Sequence, residues 1–315
     1  MSLTQALSTA ISGLKANQAG LALVSSNVAN AGTPGYVRKT ITQTATAGGD
    51  TGISVNVTGI QRELDTYVQT QLRVENSGAS YADTLSQIYQ QLQAVYGQPG
   101  SSNTLESVYN SFTTALQTLS SSPDDPAAQS SVISAAQLLT QQLNQSSDSI
   151  QALRGNAELG ISDAVTKANQ AMSQIASLNQ RIAASNLSDG AAATMLDQRD
   201  SYVDQLSQLM DINVVKGSNN QISVFTNSGI QLVGNQASQI SFDPQGTMTA
   251  ASAWSADPTK RNVGTLSLVS PTGGSVDLIE SHAIRSGQIA AYLQMRDQDL
   301  VQAQTQVDAI AAESA

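Results

Sequence analysis

The 315-residue chain contains no cysteine, and this absence excludes several kinds of site at once. Without a thiol the chain forms no disulfide, no thiolate metal centre and no cysteine nucleophile. Aromatic residues are also scarce, at 4% of the sequence, although hydrophobic residues as a whole make up 40%. This mixture favours helices packed through small and aliphatic side chains over a core built on aromatic rings.

Positive charge is scarce as well, and the chain carries a net charge of -10. Residues 1–49 hold Lys15, Arg38 and Lys39 and no acid, so the remainder of the chain is strongly acidic. An acidic body argues against nucleic acid or an anionic membrane as a partner. The sequence also lacks an apolar run of membrane-spanning length and a secretory signal. We therefore expect no membrane insertion, and any export would use a route without a cleaved signal peptide.

The residues needed for catalysis or metal binding are nearly absent. His282 is the only histidine, and no phosphate-binding glycine loop or calcium-loop pattern is present. A lone histidine in a loop is the interpretation we prefer, because a nucleophilic site needs a nucleophile beside a base. We expect no catalytic residue, no metal and no cofactor. A cell-surface hydrolase stays open as an alternative, in which His282 and nearby acids would be essential.

What the sequence does contain, at its start, is a regular apolar stripe. Apolar residues recur at steps of three and four over residues 3–28, which predicts an amphipathic helix in a heptad register. The opposite face carries almost no charge, and the turn and polar stretch that follow offer no internal surface for packing. We therefore expect the stripe to make helix–helix or subunit contacts, and its central positions are Leu7, Leu14, Leu21 and Val28.

The stripe ends abruptly at SSNVANAGTPGY, residues 25–36. Asn30 or Gly32 suits the left-handed position that closes many helices. Pro34 and Gly35 suit the two central positions of a type II turn, after which Tyr36 has a rigid corner from which to dock. Turn chemistry alone predicts an ordinary helix end here.

Later segments predict a mainly α protein: a long helical bundle or coiled-coil domain with a small β insertion and a separate N-terminal assembly helix. Residues 40–60 read as extended chain, helical periodicity covers most of 62–210, short strands follow, and heptads resume at 284. The pattern still runs at residue 315, which suggests a fragment. The predicted domains are residues 1–48, residues 49–211 with 284–315, and the β subdomain 212–283.

Two arginines occupy heptad core positions, where a cation needs partners. Arg199 is followed by Asp200, and Arg296 is followed by Asp297. A guanidinium in such a place requires carboxylate or carbonyl acceptors. We expect buried ion pairs that lock two helices together, and a contact to a neighbouring subunit remains the open alternative.

Three stretches carry a resemblance to a known family. SNVANAGTPGY resembles the Asn-x-x-Asn-x-x-Thr-x-Gly-Tyr motif that follows the first helix of flagellar axial proteins, which include rod, hook and junction proteins. LDQRD at residues 196–200 and SGQIAAY at 286–292 resemble signatures of the hook–filament junction branch. The residues carried over as an assembly motif are Asn27, Asn30, Thr33, Pro34, Gly35 and Tyr36.

The resemblance implies a structural, non-enzymatic subunit of the extracellular flagellum that joins hook to filament and self-assembles through terminal helices, which are disordered in the free subunit. It implies the hook protein, a second junction protein, other copies of the chain and the flagellar type III export apparatus as partners, with a dedicated chaperone as a further candidate. Relatives continue into outer β domains and a C-terminal helix that this chain lacks. Another axial subunit, hook or rod, stays open as an alternative.

Overall fold

The computed structural model describes residues 3–33, 35–47, 53–98, 100–101, 104–185 and 190–314. Helices dominate these residues, so the mainly α class is confirmed. The helices are α1 (Leu3–Ala29), α2 (Thr66–Tyr96), α3 (Leu105–Ser121), α4 (Pro126–Ala184), α5 (Gly190–Leu209), α6 (Gly287–Gln294) and α7 (Leu300–Glu313). The strands are β1 (Lys39–Ala47), β2 (Ile53–Arg62), β3 (Ile212–Lys216), β4 (Ile222–Thr226), β5 (Gln231–Val233), β6 (Gln239–Phe242), β7 (Leu266–Val269) and β8 (Ser275–Asp277).

Helix α4 is the spine of the helical body and packs against α2, α3, α5, α6 and α7. Its start is set by Pro126 in the first turn and by Asp125, whose carboxylate accepts a hydrogen bond from the N–H of Ala127. Gly160 does not end the helix. A Cβ there would lie 2.6 Å from the Tyr292 ring of α6, so this glycine admits a neighbouring aromatic ring.

The β insertion consists of two three-stranded antiparallel sheets, β3-β4-β5 and β6-β7-β8. Alternate residues of the central strands β4 and β7 are buried, as expected for a sheet with one face on a core. Val224, Leu232 and Leu266 are fully buried in the same apolar core as Ile161 and Met172 of α4. The insertion therefore shares its core with the helical body.

The returning helical segment departs from the heptads that the sequence predicts. A π-helical turn spans Met295–Asp299 between α6 and α7. Such a turn holds an extra residue, so it shifts the helical register at this point. Arg296 lies within the turn and is completely buried.

The N-terminal region is a helix on a hairpin. Strands β1 and β2 pair antiparallel, with a register shift between Thr42 and Gln43. Helix α1 lies on this hairpin through small side chains: Ala16 is buried, and the N–H of Val55 donates to Ser12 Oγ at 3.3 Å. The expectation that α1 finds no internal packing surface is therefore wrong for this face, because the hairpin accepts it.

The predicted domain limit after residue 48 falls between the two strands of this hairpin, in a stretch outside the described residues. The domain boundaries stay a prediction, as does disorder of the N-terminal region in the free subunit.

Candidate assembly site at the N-terminal joint

The apolar stripe of α1 faces away from the hairpin. Leu7, Leu14, Leu21 and Val28 are 60%, 58%, 69% and 72% exposed. Large aliphatic side chains in this state can bury a further area against another helix, at roughly 1.5–3 kcal/mol each when fully buried. The stripe therefore offers a contact surface, and its role in subunit contacts stays a prediction.

Asn27 ties the end of α1 to the start of β1. Its Nδ2 donates to the carbonyl of Lys39 at 2.9 Å, and its Oδ1 accepts from the N–H of Lys39 at 3.1 Å. The hydroxyl of Tyr36 donates to the same Oδ1 at 2.9 Å. The Asn27 amide thus bonds both the N–H and the carbonyl of Lys39, as a neighbouring strand would. These bonds fix the position of the end of α1 relative to the start of β1.

Asn30 and Thr33 close the helix without a left-handed residue. Asn30 Nδ2 donates to the carbonyl of Ser26 at 2.9 Å, and Thr33 Oγ1 donates to Asn30 Oδ1 at 3.4 Å. Neither Asn30 nor Gly32 has a positive φ, so the expected left-handed helix end is wrong. The side chain of Asn30 and the Thr33 N–H, which donates to the carbonyl of Asn30, satisfy the helix end instead.

The corner after the helix agrees with the turn that the sequence predicts. Gly35 has φ +79°, and the N–H of Tyr36 donates to the carbonyl of Thr33 at 3.1 Å. Both features match a type II turn, in which the third residue needs a positive φ and is therefore usually glycine. Pro34, the other predicted turn residue, lies outside the described residues.

Lys39 connects this corner to the helical body. Its side chain is buried, its Nζ lies 2.8 Å from Asp197 Oδ2 of α5, and it sits 4.7 Å from the centroid of the Tyr36 ring. The ammonium is thus held by a carboxylate and a ring face together. Because Asn27 holds the backbone of the same residue, Lys39 couples α1 directly to α5.

Helix α5 presents three acids toward the hairpin and α2. Asp197, Asp200 and Asp204 are three and four residues apart, which places them on one helical face. Arg62, the last residue of β2, lies with its Nε 2.7 Å from Asp197 Oδ1 and its Nη2 2.5 Å from Asp200 Oδ2. The contact to Asp197 is an ion pair without the alignment of a hydrogen bond.

Arg73 of α2 completes this set of charges. Its Nε donates to Asp204 Oδ1 at 2.7 Å, and its Nη2 reaches Asp200 Oδ1 at 3.4 Å. Burial raises the pKa of the Asp204 carboxyl, and the hydrogen bond and charge of Arg73 oppose that shift. We call these six residues the joint cluster: Lys39, Arg62, Arg73, Asp197, Asp200 and Asp204.

Four members of the joint cluster are buried, Arg62 and Asp204 are half-buried, and this decides the effect of the cluster. Ion pairs out of water add little net stability, but leaving one member unpaired costs several kcal/mol, roughly 3–5. An arrangement that separates these charges is therefore strongly disfavoured. The cluster restricts how the hairpin, with α1 on it, sits against α5.

Arg199 does not join the joint cluster, although it belongs to the same LDQRD motif. Its Nη1 donates to Asn179 Oδ1 at 3.1 Å and to the carbonyl of Asn220 at 2.6 Å. The ion pair expected here is absent among the described residues, because Asp200 is occupied by Arg62 and Arg73. Burial lowers the pKa of Arg199 to about 10.

Arg296 does form the expected buried pair. Its Nη1 donates to Glu158 Oε2 of α4 at 2.6 Å and to the carbonyl of Gly264 at 2.8 Å. Its Nε also donates to Asp297 Oδ1 at 2.7 Å. Burial lowers the pKa of Arg296, but Asp297 and Glu158 outweigh it and the net shift is upward. This pair locks the π turn to α4 and to the insertion, and it shares no contact with the joint cluster.

The sequence pointed to His282 as the one candidate catalytic base, and the structure shows its surroundings. His282 is exposed in a turn with φ +48°. Across the part of the chain that the structure describes, no group of three or more histidine, aspartate or glutamate side chains could hold a metal ion. None of the described helices is long and apolar enough to cross a bilayer.

The sequence reasoning missed most of the joint cluster. From the sequence, Lys39 was noted only for its charge. No individual role was assigned to Arg62, Arg73, Asp197 or Asp204. One signal was present, since the spacing of Asp197, Asp200 and Asp204 marks an acidic helical face. Its cationic partners lie more than 120 residues away along the chain, so spacing alone did not identify them.

Comparison with known families decides the relationship. A family model described as "Flagellar hook-associated protein FlgK helical domain" matches residues 89–315, which is well over half of the chain. The chain belongs to the FlgK family. A second model, "Flagella basal body rod protein", matches residues 7–36, the segment of α1 and the corner.

Individual proteins similar to this chain belong to the same family. The chain is 30% identical to "Flagellar hook-associated protein 1" of Escherichia coli K12 over 94% of its own length and 53% of the relative. It is 32% identical to the Bacillus subtilis protein of the same name over 66% of this chain and 43% of that one. The chain spans about half the length of the curated relatives it matches.

A solved structure is similar as well. The flagellar hook junction protein FlgK of Burkholderia pseudomallei superposes with a TM-score of 0.62 at 29% identity, covering 76% of this chain and 41% of the other.

Proposed function

We propose that the chain is a structural subunit of the bacterial flagellum that forms the junction between hook and filament. The observation that carries this proposal is the exposed apolar stripe of α1, in a chain whose residues 89–315 match the FlgK helical domain. The stripe supplies the contact surface for assembly through terminal helices. Other copies of this chain are the first partners that we propose for it.

The joint supports this role through geometry. A subunit that stacks in a tube must present its contact helix at a reproducible angle. Asn27 fixes α1 to β1, and Lys39 with Arg62 fixes the hairpin to α5. Because breaking these buried charges is costly, the angle between α1 and the body is restricted. We propose that Asn27, Asn30, Thr33, Pro34, Gly35 and Tyr36 act as the assembly motif by building this corner.

The wider assignment follows from the same proposal. The subunit is extracellular, it leaves the cell through the flagellar type III export apparatus with or without a dedicated chaperone, and it contacts the hook protein and a second junction protein. It has no enzymatic activity. A hook or rod subunit is the alternative, and the match of residues 89–315 to the FlgK helical domain favours the junction.

Removal of the N-terminal region tests the proposal. In cells whose own gene encodes the chain without residues 1–36, we expect the body to fold, incorporation at the hook tip to fail, and flagellin to appear in the medium. Normal motility with this deletion would contradict the proposal. His282→Ala is the matched control and should leave filaments intact; loss of filaments in that variant would instead favour the hydrolase alternative.

A further inference from the structure

A cleft of about 560 Å³ lies beside the joint cluster, between β2, α2, α5 and the β3–β4 turn. Its charged lining residues are Arg62, Arg73, Arg199, Lys216 and Asp200. Four of these five are cations, but Asp200 in the lining and Asp197 and Asp204 outside it pair with Arg62 and Arg73. Among the described residues, Arg199 and Lys216 are therefore the lining cations that form no ion pair. The cleft therefore has an excess of positive charge in a chain that is acidic as a whole.

Arg199 is the arginine of this lining that has a buried Nε without a hydrogen bond and, among the described residues, no carboxylate partner. The residue is only 5% exposed, and its Nε is buried without a hydrogen-bond partner among the described residues. A buried donor left without an acceptor costs roughly 1–3 kcal/mol, and more for a charged group. Burial lowers the pKa of Arg199; the charge of Asp200 opposes that shift, and repulsion from Arg62 and Arg73 adds to it.

We propose that this cleft binds a carboxylate, and that the carboxylate is an acidic side chain of a second copy of this chain. A guanidinium with a vacant Nε offers the geometry that carboxylates prefer, and Lys216 at the exposed rim adds a second attracting charge. A copy with a net charge of -10 has an acidic surface to offer. The identity of the neighbour rests on the proposed function, whereas the carboxylate site does not.

The first experiment uses the full chain and sodium acetate as the probe. Acetate is titrated while the arginine Nε–H signals are followed by NMR, and Arg199→Lys identifies the signal of Arg199. We expect a saturable shift of that signal. Lys216→Glu should weaken acetate binding by about three- to tenfold, because it reverses a charge at the rim. Lys260→Glu is the control, since Lys260 is exposed and does not line the cleft.

The second experiment measures self-association by sedimentation velocity at matched ionic strength. Lys216→Glu and added acetate should both weaken it, and Lys260→Glu should not. Lys216 is exposed, so this variant tests the cleft without disturbing the bonds that Arg199 makes in the core.

Each outcome has a distinct meaning. If the Arg199 signal shows no saturable response, a carboxylate in the cleft does not reach the Arg199 guanidinium and the carboxylate site is refuted, while the junction function is untouched. If acetate binds but Lys216→Glu leaves self-association unchanged, a second copy is not the occupant. If acetate binds to the full chain but cells that carry the deletion of residues 1–36 swim normally, the carboxylate site is supported and the junction function is refuted.

Discussion

Arg199 and Arg296 occupy the same kind of position in the sequence and very different positions in the molecule. Both lie on heptad core positions, and both precede an aspartate. Arg296 is satisfied by Glu158, Asp297 and a carbonyl within the body. Among the described residues, Arg199 donates only to an amide oxygen and a carbonyl, because the adjacent Asp200 pairs with Arg62 and Arg73. The ion pairs of Arg296 connect elements within the helical body and the insertion. The acids near Arg199 instead connect α5 to the hairpin and to α2.

The largest effect is expected in the body cluster. Glu158→Ala removes one of the two acids that hold the fully buried Arg296, and it leaves the N–H groups of Gln245 and Gly264 without their acceptor. The free energy of unfolding should therefore fall by about 3–5 kcal/mol. Urea denaturation measures this change in the free energy of unfolding. Asp163→Ala, an exposed acid on the same helix, should change stability by less than about 0.5 kcal/mol. Equal effects of the two substitutions would mean that the buried pair does not lock the body.

A smaller and local effect is expected at the joint. Asp200→Asn weakens the contacts to Arg62 and Arg73, but each arginine keeps a second acid. We expect the free energy of opening of the hairpin to fall by roughly 1–3 kcal/mol. This corresponds to about a 5- to 150-fold loss of hydrogen-exchange protection in β1 and β2. Protection in α4 should not change. A uniform loss across the chain would show that the joint and the body do not behave separately; Asp148→Asn on α4 is the control.

Asp277, at the end of β8 in the insertion, and Asp204 of the joint cluster should respond to pH with opposite sign. The pKa of Asp277 is lowered, because hydrogen bonds from Glu280, Thr265 and Ile279 and the charge of Arg261 outweigh burial. Its contribution to stability is present above the unfolded-state pKa and is lost as pH falls through the lower folded-state value. The pKa of Asp204 is raised, so protonation at falling pH favours the folded state there.

Thermal unfolding between pH 5 and pH 2 tests this contrast. Asp277→Asn should flatten the loss of stability at low pH, and Asp204→Asn should steepen it. The same change of slope in both variants would contradict the two shifts.

The smallest effect on stability is expected on the exposed stripe. Leu14→Ala should change the free energy of unfolding by at most about 0.5 kcal/mol, because the side chain has little packing to lose. Ala16→Leu, two residues away on the face against the hairpin, should cost about 1–3 kcal/mol through overpacking. Thermal unfolding of the two variants measures the difference. If Leu14→Ala were the more damaging change, the stripe would be packed within the chain.

Local structure was largely predictable from the sequence because it depends on neighbouring residues. The spacing of leucines predicted α1, the pattern of residues 40–60 predicted extended chain, alternation predicted the strands of the insertion, and Pro34 with Gly35 predicted the turn. The left-handed residue at the end of α1 was predicted wrongly, since the Asn30 side chain provides the closing hydrogen bond. The π turn at Met295–Asp299 was also missed, because no residue type marks it.

By itself the sequence determined the helices, the exposed uncharged stripe and the absence of thiol chemistry, because periodicity and composition act over a few residues. Only the tertiary structure decided which acid meets which base. Asp200 pairs with Arg62 and Arg73 across more than 120 residues, and this choice leaves Arg199 without an acid. Coulombic attraction has no preference along the sequence, so the partner is whichever charge the packed core brings within about 4 Å.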